Sequence, residues 1–92
     1  MDKKYAAQEA ITHSMMGSLG LKLIEEKEGF IRASMPVNDN TSQPFGVLCG
    51  GASLAFAEII AGYGSYLCCP EGFIPVGSSV SGNHVSSVRK AP

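Results

Sequence analysis

The sequence predicts an α+β domain in which one long apolar helix lies against antiparallel strands. Three observations lead there. Gly50 to Cys69 has helical length, and its apolar residues cover most of the circumference. Ile31, Ala33 and Met35 alternate with Arg32 and Ser34, the period of a half-buried strand. Lys27-Glu28-Gly29 separates two strand-like runs as a hairpin turn would.

Taken in order, Tyr5 to about Met16 reads as a short helix, with Ala6, Ala7, Ala10, Ile11 and Met15 roughly on one side and Gly17 and Gly20 ending it. Leu21 to Glu26 and Phe30 to Val37 are the two strands of the hairpin. A polar loop from Asn38 to Gln43 follows, and Pro44 holds Gln43 extended. In the Gly50 to Cys69 helix, Phe56, Ile59, Ile60, Tyr63 and Leu67 gather on one side of a 3.6-residue wheel. Glu58 sits on the other side, among Gly51, Leu54, Ala55, Ala61, Gly62 and Ser65. One face fills a core, and the carboxylate looks out from a face of mainly small residues that another segment can approach closely. Past Pro70-Glu71-Gly72, Val76 to Val88 reads as a third strand rich in Ser and Gly.

The bulk numbers bound the function. A chain of 92 residues has room for one domain. With 45% apolar and 16% charged residues it is too apolar for a disordered chain and suits a subunit that buries surface against a partner. Seven basic residues against eight acidic ones, net −1, leave no basic stripe for nucleic acid. Met1-Asp2-Lys3-Lys4 leads into Tyr5-Ala6-Ala7-Gln8-Glu9 without the apolar core of a targeting segment. Leu54 to Leu67, interrupted by Glu58, Gly62, Gly64 and Ser65, is too short to span a bilayer, so no membrane association is expected. Cys49, Cys68 and Cys69 fit neither a disulfide framework nor a zinc spacing. Reduced thiols in a cytoplasmic protein, with no metal, are the expectation.

The segment Met35-Pro36-Val37-Asn38-Asp39-Asn40-Thr41-Ser42-Gln43-Pro44-Phe45-Gly46-Val47-Leu48-Cys49-Gly50-Gly51-Ala52-Ser53-Leu54-Ala55-Phe56-Ala57-Glu58 resembles the signature of hotdog-fold acyl-CoA thioesterases. It is nearest to the branch that acts on 1,4-dihydroxy-2-naphthoyl-CoA and 4-hydroxybenzoyl-CoA. Tyr66-Leu67-Cys68 and Asn83-His84-Val85-Ser86-Ser87-Val88-Arg89 extend the similarity. The resemblance implies a central helix wrapped by an antiparallel sheet, and subunits joined as a homodimer or homotetramer. It implies further strands beyond Arg89-Lys90-Ala91-Pro92, so residues 1–92 read as a single incomplete hotdog domain. No cofactor is implied apart from the coenzyme A of the substrate.

By the same resemblance, Gln43 polarises the thioester carbonyl, the Gly50 amide holds the oxyanion, and Glu58 of a neighbouring subunit is nucleophile or general base. Phe45, Gly51 and Gly62 border the substrate, and His84, Ser86, Ser87 and Arg89 border the CoA phosphates. Elementary chemistry agrees: a helix start offers unpaired N–H groups and a positive dipole end to an oxyanion. Two positions depart from the family. Cys49 stands where this branch has His, and Gly62 stands where some members carry an assisting hydroxyl.

Each residue has a plainer reading: Gln43 as a loop residue, Gly50-Gly51 as a connection, Cys49 as a small apolar filler. Glu58 could be an ordinary solvated carboxylate, His84 a strand histidine, and Ser86, Ser87 and Arg89 a polar strand end. A Cys49–His84 nucleophile and base pair is a weaker alternative, lacking a third group to orient it. Gly77 and Ser79 are followed by Ser81 rather than Gly, so there is no nucleophile elbow. The paired Asp and His of hotdog enoyl-CoA hydratases are absent at the helix start. A catalytically impaired acyl-CoA-binding protein of the same descent is the remaining alternative.

Overall fold

The computed structural model describes residues 3–90, with side chains described from Gln8 onward. The elements run α1 (Lys3–Thr12), α2 (Met15–Ser18), β1 (Lys22–Lys27), β2 (Phe30–Ser34) and α3 (Gly50–Cys68).

Where the sequence predicts one N-terminal helix, there are two. Ser14 is extended, with φ −136 and ψ −177. Its hydroxyl accepts from the Met16 N–H at 3.2 Å and donates to the Ile11 carbonyl at 3.0 Å, so it caps a new helix instead of continuing the old one. Gly17 permits the tight junction, since a Cβ there would lie 2.8 Å from the Ile11 carbonyl oxygen and closer still to that of Thr12. Of the predicted apolar side, Ala6 and Ala7 lie outside the described side chains, and Met15 is 59% exposed. Met16 is the buried residue instead. The Leu21 N–H donates to the Met16 carbonyl at 2.9 Å and the Gly20 N–H to that of Gly17 at 3.0 Å, with Gly20 at φ +72. Such a close brings its flanking apolar pair together, and Met16 and Leu21 are both 7% exposed.

β1 and β2 form an antiparallel hairpin closed by Glu28-Gly29, with Lys27 opposite Phe30 and Gly29 at φ +74. A bulge falls at Ile24 in β1. In β2 the predicted alternation holds: Ile31 and Ala33 are half-buried while Phe30, Arg32 and Ser34 are exposed. β2 stops at Ser34, short of the predicted Val37, because Pro36 has no N–H to give a ladder.

α3 packs against β2. A Cβ on Gly64 would lie 3.3 Å from Ile31 Cγ2, so the missing side chain sets how closely helix and strand approach. Phe56, Ile59, Ile60, Tyr63 and Leu67 are half-buried, while Ala57, Glu58, Ala61 and Ser65 are exposed, as the wheel predicts. Partial burial raises the Tyr63 hydroxyl above its ordinary 10.0, with the Glu26 charge and Tyr66 adding to it. Pro70 pushes Cys69 into an extended conformation (φ −74, ψ 148), and the helix ends at Cys68.

The predicted third strand is not formed among the described residues. Val76 to Val88 has no regular secondary structure and lies exposed, Val85 at 95%. A strand exists only where a neighbour takes up its N–H and C=O groups. Among the described residues the sheet has two strands, and the segment is paired at its far end, where the Val88 carbonyl accepts from the Leu48 N–H and Val47 bridges the next residue, Arg89. Cys49, Cys68 and Cys69 form no disulfide among the described residues. Among the described residues no helix is long and apolar enough to cross a membrane, and no group of three or more metal-binding side chains occurs.

Candidate active site

The site is built around the first turn of α3. Cys49 is the residue before it, extended at φ −71 and ψ 127, and its side chain makes no capping hydrogen bond. The Ala52 N–H donates back to the Cys49 carbonyl at 3.0 Å. The N–H groups of Gly50 and Gly51 precede that bond, in the part of a helix that has no carbonyl of its own to meet. The partial positive end of a 19-residue helix therefore opens at Gly50.

Gln43 reaches this turn through a tight return of the chain. The Gly46 N–H donates to the Gln43 carbonyl at 3.0 Å, and the Gln43 N–H donates to the Val47 carbonyl at 2.7 Å. Pro44 pre-sets the first central position of the turn, and Gly46 closes it at φ +88, a conformation that favours glycine. Ser42 bridges Leu48, and the Cys49 N–H donates to the Thr41 carbonyl at 2.8 Å. The result brings the Gln43 side chain beside Cys49, where Nε2 donates to Sγ at 3.6 Å. Phe45, at the tip of the turn, is 71% exposed.

Thr41 anchors this arrangement and is the residue that the sequence reading missed. It is 1% exposed; its hydroxyl donates to the Pro36 carbonyl at 2.8 Å and accepts from the Asn38 N–H at 3.0 Å. The available signal was the Asn38-Asp39-Asn40-Thr41 composition, in which short oxygen-bearing side chains bond their own backbone. The Ser42 hydroxyl next to it is buried without a hydrogen-bond partner among the described residues.

The C-terminal segment crosses the same helix start. The Leu48 N–H donates to the Val88 carbonyl at 2.8 Å and the Lys90 N–H to the Gly46 carbonyl at 3.0 Å. Lys90 Nζ also bonds Asp39 Oδ1 at 2.5 Å, and this donor, with its positive charge, holds the Asp39 carboxyl below its ordinary 3.8. Upstream, a Cβ on Gly82 would lie 3.1 Å from Leu54 Cδ2. Between these two anchors the His84 ring rests on Gly50: a Cβ on Gly50 would lie 2.6 Å from Nε2. Ser86, Ser87 and Arg89 are exposed along this segment, and Arg89 has no carboxylate partner among the described residues.

Glu58 is not part of this cluster. Eight residues separate it from Gly50 along α3, about 12 Å of helix at 1.5 Å per residue. Its carboxylate lies against Gly77, in an open groove of about 410 Å³ lined also by Ala61, Gly62, Pro75 and Val80. The chain's own segment thus crosses the small-residue face, and Gly62 sits beside Glu58 as the wheel places it. A larger hollow of about 850 Å³ lies between the hairpin turn and the far half of α3, lined by Phe30, Ile31, Ile60, Leu67 and Cys68. It contains none of the predicted site residues. The structure therefore gathers Gln43, Cys49, Gly50, Gly51 and His84, and keeps Glu58 about two turns and Gly62 about three turns away along α3.

Comparison with known proteins connects this arrangement to a family. Residues 45–91 match the model of the thioesterase superfamily, a span that contains Cys49, Gly50, Glu58 and His84 and begins just after Gln43. A putative esterase of Haemophilus influenzae is 42% identical over 85% of this chain and 56% of its own length. The 1,4-dihydroxy-2-naphthoyl-CoA hydrolase of Escherichia coli is 39% identical over 84% of this chain and 57% of its own. The chain thus spans a little over half the length of these two relatives. A crystal structure of a thioesterase from Haemophilus influenzae superposes with a TM-score of 0.85 at 36% identity, covering 99% of this chain and 64% of that one. The two-stranded sheet and long helix are the corresponding part of the hotdog fold, and the chain belongs to the thioesterase superfamily.

Proposed function

We propose that the protein hydrolyses an acyl-CoA thioester, releasing a carboxylic acid and free coenzyme A. The observation that carries this reading is the meeting of the Gln43 side-chain amide with the Gly50 turn at the positive end of α3. Thioester hydrolysis passes through a tetrahedral species whose oxygen carries the negative charge. The Gly50 N–H is a preorganised donor for that oxygen, and the Gln43 amide polarises the carbonyl before attack. Glu58 is the general base that takes a proton from water, or the nucleophile that attacks the carbonyl carbon. At about 12 Å along the helix it cannot serve the Gly50 of its own chain, because reacting groups sit about 3 to 3.5 Å apart. The Glu58 of a second copy completes the site, which makes a homodimer the smallest active unit and a homotetramer compatible with it.

An aromatic or otherwise bulky acyl group, such as 1,4-dihydroxy-2-naphthoyl, is the proposed substrate class, as in the name of the Escherichia coli relative. Phe45 offers an exposed ring beside Gln43, and Gly51 and Gly62 leave room along the helix. Ser86, Ser87 and Arg89, exposed along the C-terminal segment, are the proposed contacts of the CoA phosphates, Arg89 being the charge complement.

Release of free thiol from a panel of acyl-CoA esters tests the reading. Glu58→Ala and Glu58→Gln each lower turnover by about 10²- to 10⁴-fold, the range for loss of a positioned base, while binding is largely kept. Retention of most activity by either variant refutes the role of Glu58. A second reading, acyl-CoA binding without turnover, is favoured by Cys49, a weak donor, beside the oxyanion turn. Tight binding with no thiol released by the wild type would select it.

A further inference from the structure

We propose that the His84 imidazole is a third hydrogen-bond donor to the thioester carbonyl, beside the Gly50 amide and Gln43, with Cys49 acting as the acceptor that orients Gln43. The inference rests on the thioester reading above and goes beyond it, since the family resemblance assigns His84 to the CoA phosphates. Its first support is position. A Cβ built on Gly50 would lie 2.6 Å from Nε2, 2.8 Å from Cδ2 and 3.0 Å from Cε1, so the ring edge carrying Nε2 faces the first turn of α3. Only a residue without a side chain lets the imidazole come so close. Gly50 is then required twice, once for its free N–H and once for its missing Cβ.

The second support is that this placement is held from both sides. Gly82 rests on Leu54 two residues before the histidine. Four residues after it, the Val88 carbonyl accepts from the Leu48 N–H at 2.8 Å, and Lys90 is tied to both Gly46 and Asp39. His84 itself is exposed, so it is not a core histidine, and among the described residues no hydrogen bond to a neighbouring carbonyl holds its ring.

The third support is the chemistry left at Cys49. The Gln43 amide nitrogen donates to Sγ at 3.6 Å, which makes the thiol an acceptor in this contact. A thiol is in any case a weak donor. An oxygen gaining charge at the mouth of this turn therefore finds Gly50 N–H, the second N–H of Gln43 and the imidazole N–H. No proton is transferred in this role: His84 positions and stabilises the carbonyl, while Glu58 of the other copy attacks it or activates the water that does.

The test compares wild type, His84→Ala, His84→Gln and His84→Ala combined with Cys49→His. Loss of one oxyanion donor lowers kcat by about 10²- to 10³-fold, and His84→Gln, which keeps an N–H, recovers part of it. Cys49→His returns an imidazole to the same turn and restores turnover to the His84→Ala background. An increase in KM with kcat unchanged would show that His84 only grips coenzyme A and would overturn the proposal. Binding of an acyl-CoA analogue with methylene in place of the thioester sulfur gives a readout that needs no turnover. Its carbon-13 carbonyl resonance moves upfield in His84→Ala if the imidazole donates, and stays where it is in wild type if the proposal is wrong. Absence of hydrolysis with the analogue still bound removes the hydrolase reading alone, and the carbonyl shift then decides His84. An analogue that does not bind wild type removes both.

Discussion

If Glu58 serves the Gly50 turn of another copy, two dead variants should revive each other when mixed. The structure sets the requirement: the carboxylate lies eight residues along α3 from Gly50, about 12 Å at 1.5 Å per residue. No side-chain rotation closes that gap to the 3 to 3.5 Å or so of a reacting pair. Glu58→Ala removes the base, a loss of about 10²- to 10⁴-fold. Gln43→Ala removes a carbonyl donor, a loss of about 10²- to 10³-fold. In a mixed dimer, the turn of the Glu58→Ala chain keeps Gln43 and meets the intact Glu58 of its partner, while the other site carries both defects. Random pairing of equal amounts gives roughly half mixed dimers with one working site in two, so about a quarter of wild-type activity returns. The assay is release of coenzyme A thiol after unfolding and refolding the two variants together. The exposed thiol of Cys68 adds a fixed background that is read without substrate. Activity that stays at the level of the separate variants, in mixtures shown by mass to contain mixed dimers, would refute the shared site.

Three further outcomes follow from the packing and the charges. Gly17→Ala forces a Cβ to within 2.8 Å of the Ile11 carbonyl oxygen and should lower stability in urea unfolding by about 1 to 3 kcal/mol, as overpacking does. Thr41→Val keeps the volume but strips the Asn38 N–H and Pro36 carbonyl of their partner, with an expected loss of about 1 to 3 kcal/mol by the same measurement. Because Lys90 depresses the Asp39 carboxyl in the fold, their pairing favours the folded state above the ordinary carboxylate value of 3.8, and that contribution disappears as pH falls through the depressed value. In an NMR titration the Asp39 carboxyl should therefore ionise below 3.8 in wild type and return toward it in Lys90→Met or at high salt.

Much of this was legible in the residues themselves. The alternation over Ile31 to Ser34 marked one strand of the hairpin and Glu28-Gly29 its turn, because side-chain period and glycine backbone freedom are local properties. The apolar wheel of α3 named the half-buried side and the Glu58 side for the same reason. Gly50 could be assigned to the helix start, since a helix end leaves its first N–H groups open whatever surrounds it. What the residues could not carry was anything set by distant partners. Val76 to Val88 has a strand's composition, yet strand formation depends on a neighbour, and among the described residues its backbone pairing begins at Val88 and runs on to Lys90. Ser14 gave no warning that it would split a helix, because capping and continuing differ by a hydroxyl rotation and a backbone angle. The placement of His84 on Gly50 arises from hydrogen bonds made four and six residues later, so only the tertiary structure could bring an imidazole to the first turn of α3. Residue chemistry determined which groups could act; long-range backbone pairing decided which of them meet.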